Sequence, residues 1–260
     1  MKSDKQKNRL VDSIFLKYLK YSNKIRYNID SCNQNSIILH FHLGLGDNIV
    51  CNGLVNKISK YFEEIHLPVK NKYDEMIRFM FQNNEKIKFF NVSYSNSTND
   101  VFKYSLKNNL EVLRIGFEKQ GKEPFNTWFY EQIGFDFSDS YSYFNIPKNS
   151  EKSNLLYEHL LNFYKIKSES YNLVHCESHE NTYSLKNVNN FKNIFVTKDS
   201  DIFNNLLHYD KIIKNAQEIH CINSSFLHLV DRLPSKGNLF YHKIRHSNFQ
   251  LDKKWTIVNY

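Results

Sequence analysis

A strand, a glycine-containing turn and an amphipathic helix follow one another near the start of the chain, and this unit constrains the fold more than any other stretch. Residues 36–41 read Ser-Ile-Ile-Leu-His-Phe, a nearly continuous apolar run typical of a strand buried in a parallel sheet. Gly44 and Gly46 permit a sharp turn and close approach to a ligand. From Asn48 apolar residues recur at helical spacing as far as residue 62, with Asp47 predicted as the N-cap. Asp47 is therefore expected at the carboxyl end of a strand, where open α/β sheets bind ligands.

This turn lacks the fingerprints of two common nucleotide sites. The dinucleotide motif G-x-G-x-x-G needs a third glycine where this chain has Ile49, and no Lys-Ser/Thr pair of a P-loop follows. A classical NAD site or NTPase site is therefore disfavoured. The turn by itself is also compatible with a purely structural helix cap.

Composition and charge narrow the class of protein further. A chain of 260 residues with 41% hydrophobic and 15% aromatic content can bury a sizeable core, in one large domain or in two compact ones. The formal net charge is +8, but the lysines are scattered among carboxylates and form no basic stripe. Because no nucleic-acid-binding module accompanies the charge, nucleic acid is not an expected partner.

Cysteine usage and the polar start of the sequence favour a cytoplasmic location. The four cysteines lack C-x-x-C spacing and are predicted to be free thiols, three of them in buried elements, rather than disulfides or a zinc site: Cys32, Cys51, Cys176 and Cys221. No signal-peptide core and no run of about eighteen apolar residues is found. A basic, partly apolar segment near the start is compatible with a helix on the inner membrane face or with one packed on the domain: Ile14, Phe15, Lys17, Tyr18, Leu19 and Lys20. The oligomeric state stays open.

Strands and helices alternate along most of the chain, which predicts an α/β protein of two Rossmann-like domains that face each other across a cleft. In the first series strands are predicted at 64–69, 87–92 and 111–117 and helices at 73–83 and 101–108. An aromatic connector over 118–152 carries a short helix at 127–133. In the second series strands are predicted at 171–176, 193–197, 218–222 and 238–241 and helices at 153–164, 202–215 and 225–233. The predicted domains are residues 1–145 and 146–260.

A second candidate site follows the strand predicted at 218–222. Asn223 and Ser224 form a small polar turn, and Ser224 is predicted to cap the next helix. The amides of Ser225 and Phe226 would then be available to an anion such as a diphosphate. The alternative is that the turn only caps the helix. His228, one turn further on, is expected to face either the cleft or the core.

Polar side chains also follow the other strands of the second series. His175 and Glu177 come after the strand at 171–176, and Lys198 ends the strand at 193–197. Their residue types do not complete a metal-ligand set, so no metal site is predicted. The stretch 199–201 spells Asp-Ser-Asp, a tripeptide also used for manganese-nucleotide binding, but it is predicted to cap a helix that starts at Ile202.

Taken together, these features resemble the GT-B class of glycosyltransferases, and most closely the heptosyltransferases of glycosyltransferase family 9. The matching residues are Gly46-Asp47 after the first strand and the Ser-x-x-His-Leu helix start of residues 225–229. The chain departs from the family in three ways: its helix start is Ser224-Ser225 instead of Thr-Gly, it is shorter, and its Asn-Ser-Ser-Phe turn is also similar to that of fucosyltransferases. The Arg-rich donor motif of fucosyltransferases is absent.

The resemblance implies a metal-independent, inverting transferase of polysaccharide biosynthesis that uses no cofactor and takes a nucleotide-diphosphate sugar as donor. The acceptor, a glycan or lipid-linked hydroxyl compound, would bind the first domain beside Gly44, Gly46 and Asn48, with Asp47 as general base. The second domain would bind the donor through His175, Glu177, Lys198, Asn223, Ser224, Ser225 and His228.

Two alternatives stay open at this point. A nucleotide-sugar epimerase of the same fold would convert the sugar nucleotide without an acceptor. A non-catalytic protein that binds a nucleotide or glycan would use Asp47 only as a helix cap.

Overall fold

The computed structural model of the protein describes residue 17 and residues 24–118, 124–167, 170–178, 181–188, 192–244 and 249–260. Within these ranges no helix is both long enough and apolar enough to cross a membrane. The segment expected to form a helix packed on the domain or on a membrane surface has its apolar residues outside the described residues: Ile14, Phe15, Tyr18 and Leu19. The chain divides into two compact units, Met1–Pro147 and Lys148–Tyr260.

The first unit contains a five-stranded parallel sheet. Its elements are β1 (Ile25–Arg26), β2 (Ser36–His40), α1 (Leu45–Val50), α2 (Asn52–Ile58), β3 (Glu64–Lys70), α3 (Asp74–Met80), β4 (Ile87–Val92), α4 (Ser97–Asn108), β5 (Glu111–Arg114), α5 (Trp128–Glu131) and α6 (Asp139–Ser142). The strand order is β1-β5-β2-β3-β4. As predicted for a central strand, Ile37, Ile38 and Leu39 of β2 are fully buried on both faces. Since β3 and β5 flank β2, the topological switch point of this sheet lies between β2 and β5.

The second unit repeats this architecture. Its elements are α7 (Ser150–Phe163), β6 (Asn172–His175), β7 (Asn193–Phe195), α8 (Asp210–Asn215), β8 (Glu218–Ile222), α9 (Ser225–Arg232), β9 (Asn238–Lys243) and β10 (Trp255–Asn259). The strands are parallel in the order β10-β9-β8-β6-β7, so the switch point lies between β6 and β8. The predicted α/β class with two Rossmann-like parts is confirmed.

The helix predicted from Asn48 to residue 62 is wrong in its bounds, because it begins at Leu45, breaks at Cys51 and ends at Ile58. A side chain from α5 causes the break. The Leu54 amide, which would close a helical turn on the Val50 carbonyl, donates instead to the Tyr130 hydroxyl at 3.0 Å, and that hydroxyl donates to the Val50 carbonyl at 2.7 Å. A hydroxyl inserted in the ladder separates α1 from α2.

The helix predicted over 202–215 is also wrong in its first half. Only Asp210–Asn215 is α-helical, preceded by a 3-10 turn at Leu206–His208 whose cap is the Asn205 side chain. Asn204 has a φ of +46°, which ends any helix begun at Ile202. Asp201 therefore caps no helix there, and its carboxylate accepts a hydrogen bond from the Phe203 amide in a local turn.

The sequence analysis did not predict two of the strands, β1 and β10, and both lie at sheet edges. Strand β1 has only two residues and is anchored by a buried ion pair between Arg26 and Glu111 of β5. Ahead of β10, Asp231 of α9 accepts hydrogen bonds from the Lys253 amide and from the indole N–H of Trp255. Contacts distant in sequence fix both edges.

The four cysteines are free thiols, and Cys51, Cys176 and Cys221 are buried, as predicted.

Candidate functional site

The turn after β2 places Asp47 differently from the prediction. Gly44, with extended backbone, is the N-cap of α1, and Asp47 is the third residue of the helix. Its Oδ2 accepts a hydrogen bond from the Gly44 amide at 3.1 Å. The carboxylate thus supplies the return half of a capping box, in which the third residue satisfies the cap's own N–H. A side chain at residue 44 would disturb it, since a Cβ there would lie 2.7 Å from Oδ2.

Asp47 is in an environment that disfavours its charge. Burial raises the pKa of Asp47 to about 6, although His42, the Gly44 amide and Lys70 act in the opposite direction. A carboxyl group with a pKa close to neutral is suited to taking up and releasing a proton under physiological conditions. The same group serves as a helix cap, so its position is fixed by the fold.

The other two residues predicted for this loop lie in the helix instead. Gly46 is the second residue of α1, and Asn48 is its fourth. Asn48 is buried and donates through its side-chain amide to the Gly44 carbonyl at 2.8 Å, which stabilises the turn from inside. Gly46 and Asn48 thus lie in the first turns of α1 and not in the acceptor-side loop, where Gly44 alone of the three is found, and their part in acceptor binding stays a prediction.

The sequence analysis did not single out His42, which the structure places beside Asp47. Its Nε2–H donates to the carbonyl of Gly116 at 2.9 Å, so the tautomer is set by a backbone group. The ring stacks on Phe117 with 4.5 Å between centroids and meets the edges of Phe125 and Phe129. Because Gly116 follows β5, His42 bridges the two strands of the switch point.

Further side chains gather at the same edge of the sheet. Lys70 ends β3, and its ammonium lies 4.9 Å from the ring centroid of Tyr94, which follows β4. Burial lowers the pKa of Lys70, an effect that the Asp47 charge opposes. Burial, Tyr94 and Asp47 together raise the pKa of Tyr73. This cation and these phenols complete a polar site around Asp47 whose members come from three separate loops, and no motif joins them in sequence.

In the second unit, two predicted residues meet at the switch point. The Ser224 hydroxyl lies 3.2 Å from Nδ1 of His175, linking the carboxyl end of β6 to the turn after β8. Ser224 is also the N-cap of α9, as predicted, and accepts a hydrogen bond from the Leu227 amide. The His175 ring stacks on Phe226, and burial lowers the pKa of His175 to about 4. We call these two residues the His175–Ser224 pair.

Three other residues predicted to bind the donor lie near the pair and differ in how far they are exposed. Asn223 and Ser225 are half-buried on either side of Ser224, and Ser225 opens α9, where first-turn amides have no intrahelical acceptor. Glu177 sits in a small hairpin after β6, in which it pairs with Thr182 and the Tyr183 amide donates to the Cys176 carbonyl. The hairpin holds Glu177 half-exposed at the same edge of the sheet.

Two predicted donor residues lie apart from this arrangement. His228 packs against Phe249, its Nδ1 is buried, and burial lowers its pKa to about 3. These contacts are typical of a histidine that packs in the interior of the unit, so His228 serves the packing of α9. Lys198 is exposed beyond β7 at the outer edge of the sheet, and within the described residues it makes no hydrogen bond or ion pair.

In the described part of the chain, no three His, Cys, Asp or Glu side chains come together in a way that could hold a metal ion.

The chain is similar in fold to the solved structure of a glycosyl transferase. No protein-family model matches the sequence, and no curated protein matches it significantly. The crystal structure of a glycosyl transferase of family 9 from Veillonella parvula matches with a TM-score of 0.57 and 11% sequence identity, over 86% of each chain. At this identity the similarity concerns the fold. The protein therefore has a two-domain fold of the GT-B-like class.

Proposed function

We propose that this protein is a glycosyltransferase that moves a sugar from a nucleotide-diphosphate sugar to a hydroxyl group of a glycan or lipid-linked acceptor. One observation carries the proposal: both candidate sites coincide with topological switch points, Asp47 at that of the first sheet and the His175–Ser224 pair at that of the second. Ligands of open α/β sheets bind at such points. The fold similarity to a family 9 glycosyl transferase supports the same chemistry.

The proposed reaction assigns one task to each unit. Asp47 removes the proton of the acceptor hydroxyl while that oxygen attacks the anomeric carbon from the face opposite the leaving group, so the configuration inverts. The bond between the anomeric carbon and the diphosphate oxygen breaks. The amides at the start of α9 stabilise the charge that develops on the diphosphate, and because they do so the proposed step uses no metal ion.

The role of Asp47 is tested by Asp47→Asn, with Asp100→Asn as the matched control. Asp100 lies in the first turn of α4 and accepts hydrogen bonds from the amide and hydroxyl of Ser93, so it has a comparable local role in the same unit. We expect Asp47→Asn to lower kcat/KM by about 10²–10⁴ with little change in melting temperature, since Asn can still accept from Gly44. Asp100→Asn should retain transfer.

The pH profile provides a second readout of the same residue. Because burial raises the pKa of Asp47 to about 6, kcat/KM of the unmodified enzyme should fall as the pH drops through this value. The acid limb should be absent from the residual activity of Asp47→Asn. Full activity of Asp47→Asn would contradict the assignment of the base.

The donor is identified by thermal-shift measurements with UDP-, GDP-, ADP- and CMP-sugars and the free nucleotides, because a ligand of the folded state raises the melting temperature. A selective shift that Ser224→Ala weakens would support the donor site. Conversion of the sugar nucleotide without an acceptor would indicate an epimerase instead, and no shift with any nucleotide would contradict the proposed donor.

A further inference from the structure

A continuous chain of hydrogen bonds crosses the second sheet outside the residues used above. Nε2 of His220 lies 3.3 Å from the Glu218 carboxylate, and its Nδ1 lies 3.0 Å from Nε2 of His242. Nδ1 of His242 lies 2.9 Å from the Tyr260 hydroxyl, which accepts from the Lys186 amide at 2.6 Å. Five groups from β8, β9, the end of β10 and the loop after β6 are thereby connected. We call them the histidine chain.

The chemistry of its ends fixes the direction of every bond. A carboxylate only accepts, so His220 donates to Glu218 through Nε2–H, and its Nδ1 must then accept from Nε2–H of His242. Nδ1 of His242 is left as an acceptor for the Tyr260 hydroxyl proton. The Tyr260 oxygen in turn accepts from the Lys186 amide. Every partner is satisfied by a single choice of tautomers with both imidazoles neutral.

The surroundings favour this neutral state. Both histidines are fully buried, and the ring of His220 stacks on Phe240 at 4.6 Å. Burial lowers the pKa of both groups, that of His242 to about 4 with a contribution from His220, while Glu218 opposes the shift at His220. A second charge lies nearby on Lys186, whose ammonium is 4.6 Å from the centroid of the Tyr260 ring.

The histidine chain ends on a segment that carries a candidate donor residue. Lys186 follows directly from the hairpin at 176–183 that holds Glu177. Between β6, where this segment begins, and β10, where Tyr260 ends the sheet, lie β8 and β9, a width of roughly 14 Å. Residues 181–188 therefore run from the end of β6, where the Tyr183 amide bonds the Cys176 carbonyl, to the Tyr260 hydroxyl, which fastens them at Lys186.

We propose that Tyr260, oriented by His220 and His242, is a positioning residue that fastens residues 181–188 at Lys186 and, through the Glu177–Thr182 bridge, holds Glu177 at the donor site. This rests on the proposed function as far as the donor is concerned, whereas the fastening itself does not. The two imidazoles of the histidine chain can take up one extra proton only by reversing the Tyr260 hydroxyl. A second proton sets the His220 Nδ1–H and the His242 Nε2–H head to head, so acid releases the segment.

The test uses Tyr260→Phe, which removes the hydroxyl and keeps the ring, with Tyr61→Phe as the control because Tyr61 is an exposed tyrosine of the first unit. Amide hydrogen exchange is followed at Lys186, whose amide donates to the removed hydroxyl. We expect the protection factor of this amide to fall by about tenfold in Tyr260→Phe and to stay unchanged in Tyr61→Phe. Unchanged protection in Tyr260→Phe would overturn the proposal.

Acidification provides a readout that a passive contact would not give. In the unmodified protein the protection factor of Lys186, corrected for the intrinsic exchange rate, should drop as the pH falls below about 4, where His242 and then His220 take up protons, and in Tyr260→Phe this step should be absent. A drop of equal size in both proteins would overturn the role of the histidine chain.

Titration with UDP, GDP and ADP separates this proposal from the proposed function. We expect the nucleotide that binds best to lose about threefold or more in affinity in Tyr260→Phe, because the segment is no longer held in place. Equal affinity combined with faster Lys186 exchange would overturn the role at the donor site. If no nucleotide binds the unmodified protein, the proposed function fails, and Lys186 exchange still decides whether Tyr260 fastens the segment.

Discussion

A residue without a side chain organises the first candidate site. Gly116 has a φ of +81°, and a Cβ there would lie 2.4 Å from the ring of Phe129. The same backbone conformation presents the Gly116 carbonyl to the imidazole of His42. The space that glycine leaves therefore allows the aromatic cluster and the histidine beside Asp47 to be packed together.

Gly134 is a matched control for Gly116, because it has nearly the same φ, +79°, but no atom within 4 Å of its Cβ position. Gly134→Ala should cost only the left-handed backbone strain, about 1–2 kcal/mol. Gly116→Ala should lower the free energy of unfolding by about 1–3 kcal/mol more than Gly134→Ala, since Phe129 has to move. Urea unfolding of both variants measures the difference, and equal losses of stability would show that Phe129 gives way freely.

The division of one predicted helix into α1 and α2 follows from the insertion of the Tyr130 hydroxyl between Val50 and Leu54. Gly53, next to the break, lets α2 approach α6 closely, since a Cβ there would lie 2.6 Å from the Asp139 carbonyl oxygen. The break and the close approach both anchor the connector of the first unit against the helix pair that carries Asp47.

Tyr130→Phe should destabilise the protein by about 1–3 kcal/mol, because the buried Leu54 amide loses its acceptor. Tyr209→Phe is the matched control. Tyr209 is equally buried, but within the described residues its hydroxyl has no hydrogen-bond partner, so its removal should be neutral or stabilising. Urea unfolding of both variants tests this, and a loss of equal size would contradict the role of the Tyr130 hydroxyl.

Neutral buried histidines occur in both units of the described chain. Burial is the main cause that lowers the pKa of five of them, in both units: His40, His175, His220, His228 and His242. In the unfolded chain a histidine has a pKa of about 6.5. Below that pH the unfolded state binds protons that the folded state does not, so acid favours unfolding.

We therefore expect the histidines to leave the free energy of unfolding unchanged above about pH 6.5. As the pH decreases from there towards 4, the free energy of unfolding should fall by up to about 1.4 kcal/mol per pH unit for each such histidine. Asp47 acts in the opposite direction between its unfolded value of 3.8 and about 6, because its folded pKa is raised. Burial raises the pKa of Asp201 as well, so among the described residues two carboxyl groups oppose five histidines, and the histidines decide the sign. Urea unfolding at about pH 7 and about pH 5 measures the change. Equal or greater stability at the lower pH would contradict this expectation.

Local sequence patterns were sufficient where a structural feature depends on neighbouring residues. The apolar run of β2 predicted a buried parallel strand, and the strand at 218–222 and the Ser224 cap of α9 were predicted at the residues where they lie. Alternation of strands and helices predicted the α/β class, because the periods of buried residues and the capping preferences act over a few positions. The turn after β2 was predicted, but the N-cap of α1 was assigned to Asp47 instead of Gly44. Two glycines close together in the sequence, Gly44 and Gly46, did not indicate where the turn ends and the helix begins.

Contacts between distant residues decided the rest. The Tyr130 hydroxyl is inserted between the Val50 carbonyl and the Leu54 amide, although Tyr130 and Val50 are 80 positions apart in the sequence. Gly116 and His42, which are hydrogen-bonded, are 74 positions apart. The His175–Ser224 pair spans 49 positions, and its approach follows from the strand order, which places β6 beside β8. Sequence periodicity determined which residues are buried and which elements form, since these depend on local spacing. The choice of partners was left to the tertiary structure, because only the packed sheets bring such groups within hydrogen-bonding distance.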